Sequence, residues 1–374
     1  MTSNQRLILL SLSALVLPGM LFLPQVRAQK PVPKIAWFCS SAKSGFWPIA
    51  ELFVFAAAED LGAKVQLYGY GDNPMMIVTK VEEVLASERT RPDAILFHNY
   101  KGKGRQVLEL SEKFKVPAFV FNAGFSPLDK VGAPRETFKH WIGVMLPDDA
   151  HAGYILARHL MARARKMNKK GRDGRRHMVA LEGNRSSEAS NARVKGFEKA
   201  IEGSEFVNHQ YFHSKWREHL AYEAFNLSTI RYPDVSVFWT ASDSMAVGVI
   251  KAAEHQGWVP GKDFITGGID LLPHTQSYLT SGQMAVSVGG HYVEGAWALI
   301  ALYDYLMGID FAPFDGVCFS TKMVVHNSSE FHKLGDLRHK LRRENIDKID
   351  FRRFSRVYTR GIKKYHFDFK ALFE

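Results

Sequence analysis

Cysteine is nearly absent. Cys39 and Cys318 are the only two in 374 residues. That excludes a disulfide-stapled scaffold and a cysteine-based zinc site, and leaves either one bridge or two free thiols. Catalytic signatures are missing as well. "YGYGDNP" and "KGKG" are glycine-rich but form neither a dinucleotide fingerprint nor a P-loop. No G-x-S-x-G nucleophile elbow occurs. His209 and His213 fall on an expected strand and not on a common helical face, which argues against a metal there. Glu182 and Asp270 form a carboxylate pair with nothing else in the chain to support hydrolysis. Only one run, "LILLSLSALVLPGMLFLP", is apolar over most of a membrane thickness,.

That run follows Arg6 and is followed by "QVRA", the layout of a secretory signal with a small-residue cut after Ala28. Pro18 and Pro24 work against the alternative, an uncleaved spanning helix. The expectation is a signal over 1–28 and a periplasmic mature chain.

What remains is rich in apolar residues, 46%, with a net charge of +11, a folded profile long enough for two cores. The charge is uneven. Arg158–Arg176 carries nine Lys/Arg and one acid, and Phe331–Glu374 carries thirteen and six. With no recognition motif beside these patches, nucleic acid is not the expected partner. Solvated faces, or docking to a membrane protein or anionic lipid, account for them. The tail also holds eight regularly placed aromatics, from Phe331 to Phe373, so it is expected to pack on the body.

Short apolar runs alternate with amphipathic segments. "KIAWFCS", "KVQLY", "AILF", "PAFVFN" and "HWIGV" are expected strands with helices between them,. After "LPDD" the alternation restarts with a long helix over 150–167, then "HMVALEG", "FVNHQYF", "VSVFWT", "FITGGID" and "MAVSVGG". Continuous apolar strands alternating with helices mean parallel sheets covered on both faces. The expected fold is α/β, two doubly wound Rossmann-like lobes joined by a hinge. The first lobe spans 29–146, with a returning segment from 309–330. The second spans 147–308, and the basic tail 331–374.

Ligands of such sheets bind beyond the carboxyl ends of strands. Those corners hold Ser40, Ser41, Ser44, Phe46 and Trp47; His98 and Asn99; Asn122; and Glu182, Asn184, Ser186 and Ser187. Arg193, Trp216, Thr240, Ser242, Asp243, Asp270 and His291 complete the set. Planar bidentate groups suit hydroxyls, and aromatic faces suit sugar C–H groups. The aromatic pair Phe46–Trp47 at a sheet corner makes sense as such a wall. Asp243 reads as a helix N-cap, and Asp148 or Asp149 as the cap of the long helix; Asp149 is also counted among the ligand-binding candidates.

These residues resemble a known family. "GFWPIAELFVFAAAEDLG", "PRETFKHWIGVMLPDDAHAGYILA", "HMVALEGNRSSEASNARVKGF", "WTASDSMAVGVIKAAEHQG" and "SVGGHYVEGAWALIALYDYLMG" are similar to type I periplasmic solute-binding proteins of sugar transporters. The group is the ribose/galactose- and autoinducer-binding one, and within it the likeness is to an ABC-associated sugar-binding-like subfamily. The likeness runs from Lys34 to about Val325, and "IDFRRFSR" in the tail shares it. It implies two lobes joined by three crossings, closing on a ligand; from the missing motifs, no cofactor, metal or catalysis is expected. It implies that Phe46 and Trp47 sandwich a sugar, that Trp216 stacks from the second lobe, and that Arg193 and Asp270 hold its oxygens. Asn122, Ser242 and His291 stand where aspartate, asparagine and glutamine are common, and Ala123 replaces an arginine of ribose binders. Those departures point away from ribose itself. Asn99 and Asp149 complete the expected ligand set. The expected partner of this monomer is an ABC permease, or a membrane sensor kinase or chemoreceptor.

Overall fold

The computed structural model describes residues 31–40, 45–167, 169–327 and 335–373. The expected signal over 1–28, and Ser41, Ser44 and Phe331, lie outside them.

The first sheet is entirely parallel. Its early elements are β1 (Lys34–Ser40), α1 (Phe46–Leu61), β2 (Lys64–Tyr70), α2 (Met75–Ala86), β3 (Ala94–Phe97), α3 (Gly104–Phe114), β4 (Ala118–Phe121) and β5 (Trp141–Pro147). The second lobe follows with α4 (Asp149–Lys166), β6 (Arg176–Glu182), α5 (Glu188–Ile201), β7 (Phe206–His213), α6 (Glu218–Arg231), β8 (Val235–Thr240), α7 (Asp243–His255), β9 (Ile265–Asp270), α8 (Gln276–Ser281) and β10 (Ser287–Gly289). The chain then runs through α9 (Glu294–Leu306), α10 (Ala312–Asp315), β11 (Cys318–Thr321), β12 (Val324–His326), α11 (Leu337–Lys340) and α12 (Arg343–Ile346). Strand order is β11-β5-β4-β3-β1-β2 in the first sheet and β12-β10-β9-β8-β6-β7 in the second. β12 alone runs antiparallel to its neighbour. The inner strands are buried because helices cover both faces, so their apolar runs need no alternation, while the edge strands β2, β7 and β11 are partly exposed.

Two boundaries differ from the sequence expectation. α9 is not the last helix of the second lobe: it packs on α1 and under β4 and β5 of the first. Alternation of strand and helix continues unbroken through this crossing and so does not reveal it. Residues Glu294–Asp304 are buried all round, because α1 and the sheet cover one side and the tail the other. The returning segment also divides. β11 adds to the first sheet, and β12 goes back to the second.

Local chemistry explains the helix ends. α1 stops at Gly62, whose left-handed conformation lets its N–H reach the carbonyls of Ala58 and Glu59,. α4 starts at Asp148, whose side chain accepts from the N–H of His151,. Two glycines set the approach of α4 and α5. A Cβ on Gly153 would lie 1.9 Å from the Arg193 carbonyl oxygen, and one on Gly196 would lie 1.9 Å from that of Ala150.

The question of a disulfide resolves by topology. Cys39 is buried on β1 and Cys318 is exposed on the edge strand β11, both free. β3, β4 and β5 separate them, four strand spacings or about 19 Å, far beyond disulfide reach.

Candidate functional site

Both sheets end at one cavity of about 330 Å³ between the lobes. The first lobe contributes Ser40, Phe46, Trp47, His98, Asn99 and Asn122, and the second Asn184, Ser187, Arg193, Trp216, Ser242 and Asp270, with His291 from the β10–α9 crossing. Among the expected ligand residues, all but Asp149 line it. Glu182 instead meets Arg185 at 2.7 Å and His213 at 3.5 Å, and does not join Asp270 in the cavity lining.

The aromatic wall is built in layers. Phe46 and Trp47 open α1 with ring centroids 5.1 Å apart and planes at 86°. Trp47 stacks on His98 at 4.3 Å, and Phe46 leans on His291 at 4.7 Å. Burial drives the His98 pKa down to about 3, so its ring is neutral and serves as a flat backing. Tyr70 Oη lies 3.1 Å from its Nε2. Trp216 closes the opposite side, with the Arg193 guanidinium 5.5 Å over its ring,. Gly183 makes this possible, because a Cβ there would sit 2.2 Å from the Trp216 ring.

The polar cluster centres on Arg193, which is 4% exposed. Its Nε donates to Asp149 Oδ1 at 2.6 Å. Its Nη1 donates to the Ala241 carbonyl at 2.7 Å and to Asp270 Oδ1 at 3.4 Å. Its Nη2 donates to His291 Nε2 at 3.0 Å. An arginine has five N–H groups, so this network leaves one N–H of Nη2 for a ligand. Burial and the adjacent guanidinium hold His291 well below its usual pKa. It is therefore neutral, with Nε2 as acceptor and the proton on Nδ1. Burial pushes Asp270 up to about 8 and Asp149 to about 6, in each case against the pull of Arg193. At neutral pH, Asp149 is the anion that balances Arg193. Burial favours the neutral acid at Asp270, the form that can donate as well as accept. The charges of the cluster cancel within it.

Backbone strain gathers here. Asn122, Trp216 and Asp270 all have positive φ, at 64°, 65° and 139°. Non-glycine residues take such values where surrounding structure imposes them, often at functional sites.

Three expected roles change. Asp149 stands behind Arg193 and not in the wall. Ser242 caps α7 by accepting from the Met245 N–H. Asp243, expected as that cap, is instead a buried hub: it accepts from the Leu272 N–H at 2.8 Å, Thr275 Oγ1 at 3.3 Å and Ser287 Oγ at 2.7 Å. It pins the loop after β9 to β10. The amide of Asn99 is engaged by the backbone, donating to the Gly124 carbonyl and accepting from the Gly104 N–H.

Other lining residues were missed: Asp72, Tyr100, Lys101, Lys215 and Arg217. They form the mouth. Arg217 Nη2 reaches from the second lobe to Asp72 Oδ2 of the first at 2.8 Å. The corner rule applied to "YGYGD" after β2 would have found Asp72. Among the described residues, no group of three or more His, Cys, Asp or Glu side chains is placed to hold a metal ion.

Comparison with known proteins gives a consistent answer. The model of the periplasmic binding protein domain matches residues 35–310. A periplasmic sugar-binding protein from Pseudomonas fluorescens superposes with a TM-score of 0.79 at 24% identity, over 92% of this chain and 100% of that one. The binding component of the arabinose ABC transporter from Shewanella sp. ANA-3, solved with α- and β-L-arabinofuranose, gives 0.70 at 18%, over 83% and 96%. At these identities the structures establish the fold. The galactofuranose-binding protein of Escherichia coli is 27% identical over 118 residues, 30% of this chain and 36% of that relative. The match thus spans about a third of the curated relative's length.

Proposed function

The chain belongs to the periplasmic binding protein domain family, and from that premise we propose that it captures one neutral monosaccharide between its lobes, in the periplasm, and delivers it to an ABC importer. The observation that carries this reading is the pairing of an aromatic wall with a charge-neutral hydrogen-bonding cluster in one cleft between the lobes. Phe46 and Trp47 face Trp216 across a cavity of about 330 Å³, the small end of the range for ligand sites. Ring faces of a sugar pack on such walls. The free Nη2 hydrogen of Arg193, the protonated carboxyl of Asp270 and the Asn122 amide offer directional partners for hydroxyls. With Arg193 already balanced by Asp149, a charged ligand group seated at this buried cluster, away from the cations of the mouth, would be unpaired there, at a large desolvation cost. The solved structure that carries arabinofuranose and the galactofuranose-binding curated relative support a compact sugar, the furanose form included.

Titration calorimetry of the purified protein tests this against a panel of D-galactose, L-arabinose, D-allose, D-tagatose and D-glucuronate. Binding of at least one neutral sugar and none of the glucuronate is expected. Trp47→Ala and Asp270→Ala should each weaken it by about 1–3 kcal/mol. Unchanged affinity in both variants, or preference for the sugar acid, would overturn the reading.

A further inference from the structure

The tail does more than cover the first lobe. α11 sits against the second: the Arg338 N–H donates to Gln276 Oε1 at 3.0 Å, and its Nε to the Pro273 carbonyl at 3.3 Å. Leu337 and Leu341 are buried in a cluster that also holds Leu271 of the second lobe and Tyr292 and Val293 of the crossing. By Phe351 the chain is on the first lobe. The Phe351 N–H donates to Asp60 Oδ2 at 2.6 Å, and Tyr358 Oη to the Leu61 carbonyl at 2.9 Å. Asp304 of α9 collects Ser355 Oγ at 2.5 Å, the Arg356 N–H at 2.7 Å and Tyr365 Oη at 2.8 Å. The last turn then comes back to the hinge. The Phe369 ring lies 2.9 Å from where a Cβ on Gly290 would be and packs edge-on to Tyr292 at 5.6 Å. Lys340 Nζ lies 4.9 Å over the Phe373 ring, joining α11 to the end of the tail.

We propose that residues 335–373 form a strap, a fourth crossing between the lobes that limits how far the cleft opens. The crossings between β5 and α4, β10 and α9, and β11 and β12 are short, and domain motion must be absorbed by backbone rotation in them. Gly290, at φ 94°, is suited to that rotation. Phe369 lies against it, and α11 ties the second lobe to a tail fixed on the first. Opening the cleft therefore requires α11 to leave Pro273 and Gln276, or the Leu337–Leu341 contact to separate. The ligand-free protein is held near the arrangement described here.

The test needs no ligand, so its outcome is independent of what the cleft binds. Spin labels at Glu83→Cys on α2 and Glu223→Cys on α6, in a Cys318→Ser background, report the inter-lobe distance by pulsed electron resonance. The unaltered strap should give one narrow, short distance. Gln276→Ala/Leu337→Ala should lengthen and broaden it, and Gln276→Ala/Arg338→Ala, which leaves the buried cluster whole, should do so to a smaller extent. Circular dichroism identifies any variant that has unfolded, in which case the milder pair decides. A distribution unchanged in the folded variants would overturn the strap.

Discussion

Asp149 lies outside the cavity wall, yet its Oδ1 accepts from Arg193 Nε at 2.6 Å and fixes the plane of a guanidinium inside it. The consequence is that a residue outside the cavity wall orients one that lines it. Removing one partner of a buried pair leaves the other charge uncompensated, at about 3–5 kcal/mol. Asp149→Ala should lower the urea midpoint accordingly and weaken sugar binding with it. Asp149→Asn, which keeps an acceptor, should lose less of both. Equal loss from the two variants would show that the geometry of Asp149 does not matter.

Gly153 and Gly196 hold α4 and α5 together at the level of Arg193. Added methyls would meet backbone oxygens at 1.9 Å, and backbone cannot swing aside as a flexible side chain can. Overpacking of this kind costs about 1–3 kcal/mol or more. We expect Gly153→Ala to reduce thermal stability and to weaken ligand binding by shifting Arg193. Gly174→Ala, where nothing lies within 4 Å but φ is 76°, controls for backbone strain alone. It should leave binding intact.

The positions of these groups were partly legible beforehand. Nine of the ten expected ligand residues line the cavity; eight of them stand at or just beyond the carboxyl ends of parallel strands, while Arg193 lies within α5 and its role was implied by the resemblance. That rule needs only strand order within the chain. What it could not supply was which way a side chain turns. Asp149 and Asp243 are acidic residues at helix starts, where capping is the ordinary role; only the approach of α5 and of β10 gives them other partners. The crossing before α9 was hidden for a related reason. A buried helix has the same pattern whichever lobe buries it. The mouth residues Asp72 and Arg217 pair across 145 positions of sequence, a relationship no local pattern carries.

Asp270 also makes stability depend on pH. Burial raises its pKa to about 8 in the fold, against about 3.9 in an unfolded chain. Between these values the folded state keeps a proton that the unfolded state releases, so stability falls as pH rises. Asp149 acts in the same sense only up to about 6. His98, lowered to about 3, acts in the opposite sense and only below about 6.5. Between pH 6.5 and 8 neither Asp149 nor His98 contributes, and the slope comes from Asp270 together with other buried carboxyls such as Glu294, which burial also holds well above its usual range; the Asp270 share is the part that Asp270→Asn removes. Urea midpoints should fall across this window in the unaltered protein, by up to about 1.4 kcal/mol per pH unit for each such group, and fall less in Asp270→Asn. Parallel curves would contradict the protonated carboxyl.

The Asp72–Arg217 pair closes the mouth of the cleft, but its strength should be small. Both side chains are solvated, 81% and 51% exposed, and exposed ion pairs contribute about 0–1 kcal/mol. Lys101 Nζ holds the same loop through the Asp72 carbonyl at 2.7 Å, so the loop stays in place when the pair is broken. Arg217→Ala should then change sugar affinity less than about fivefold, through faster dissociation, and the difference should shrink as salt rises. Stopped-flow dissociation rates at low and high ionic strength measure this directly. A loss as large as that expected for Trp47→Ala would mean that the mouth, and not the aromatic wall, dominates capture.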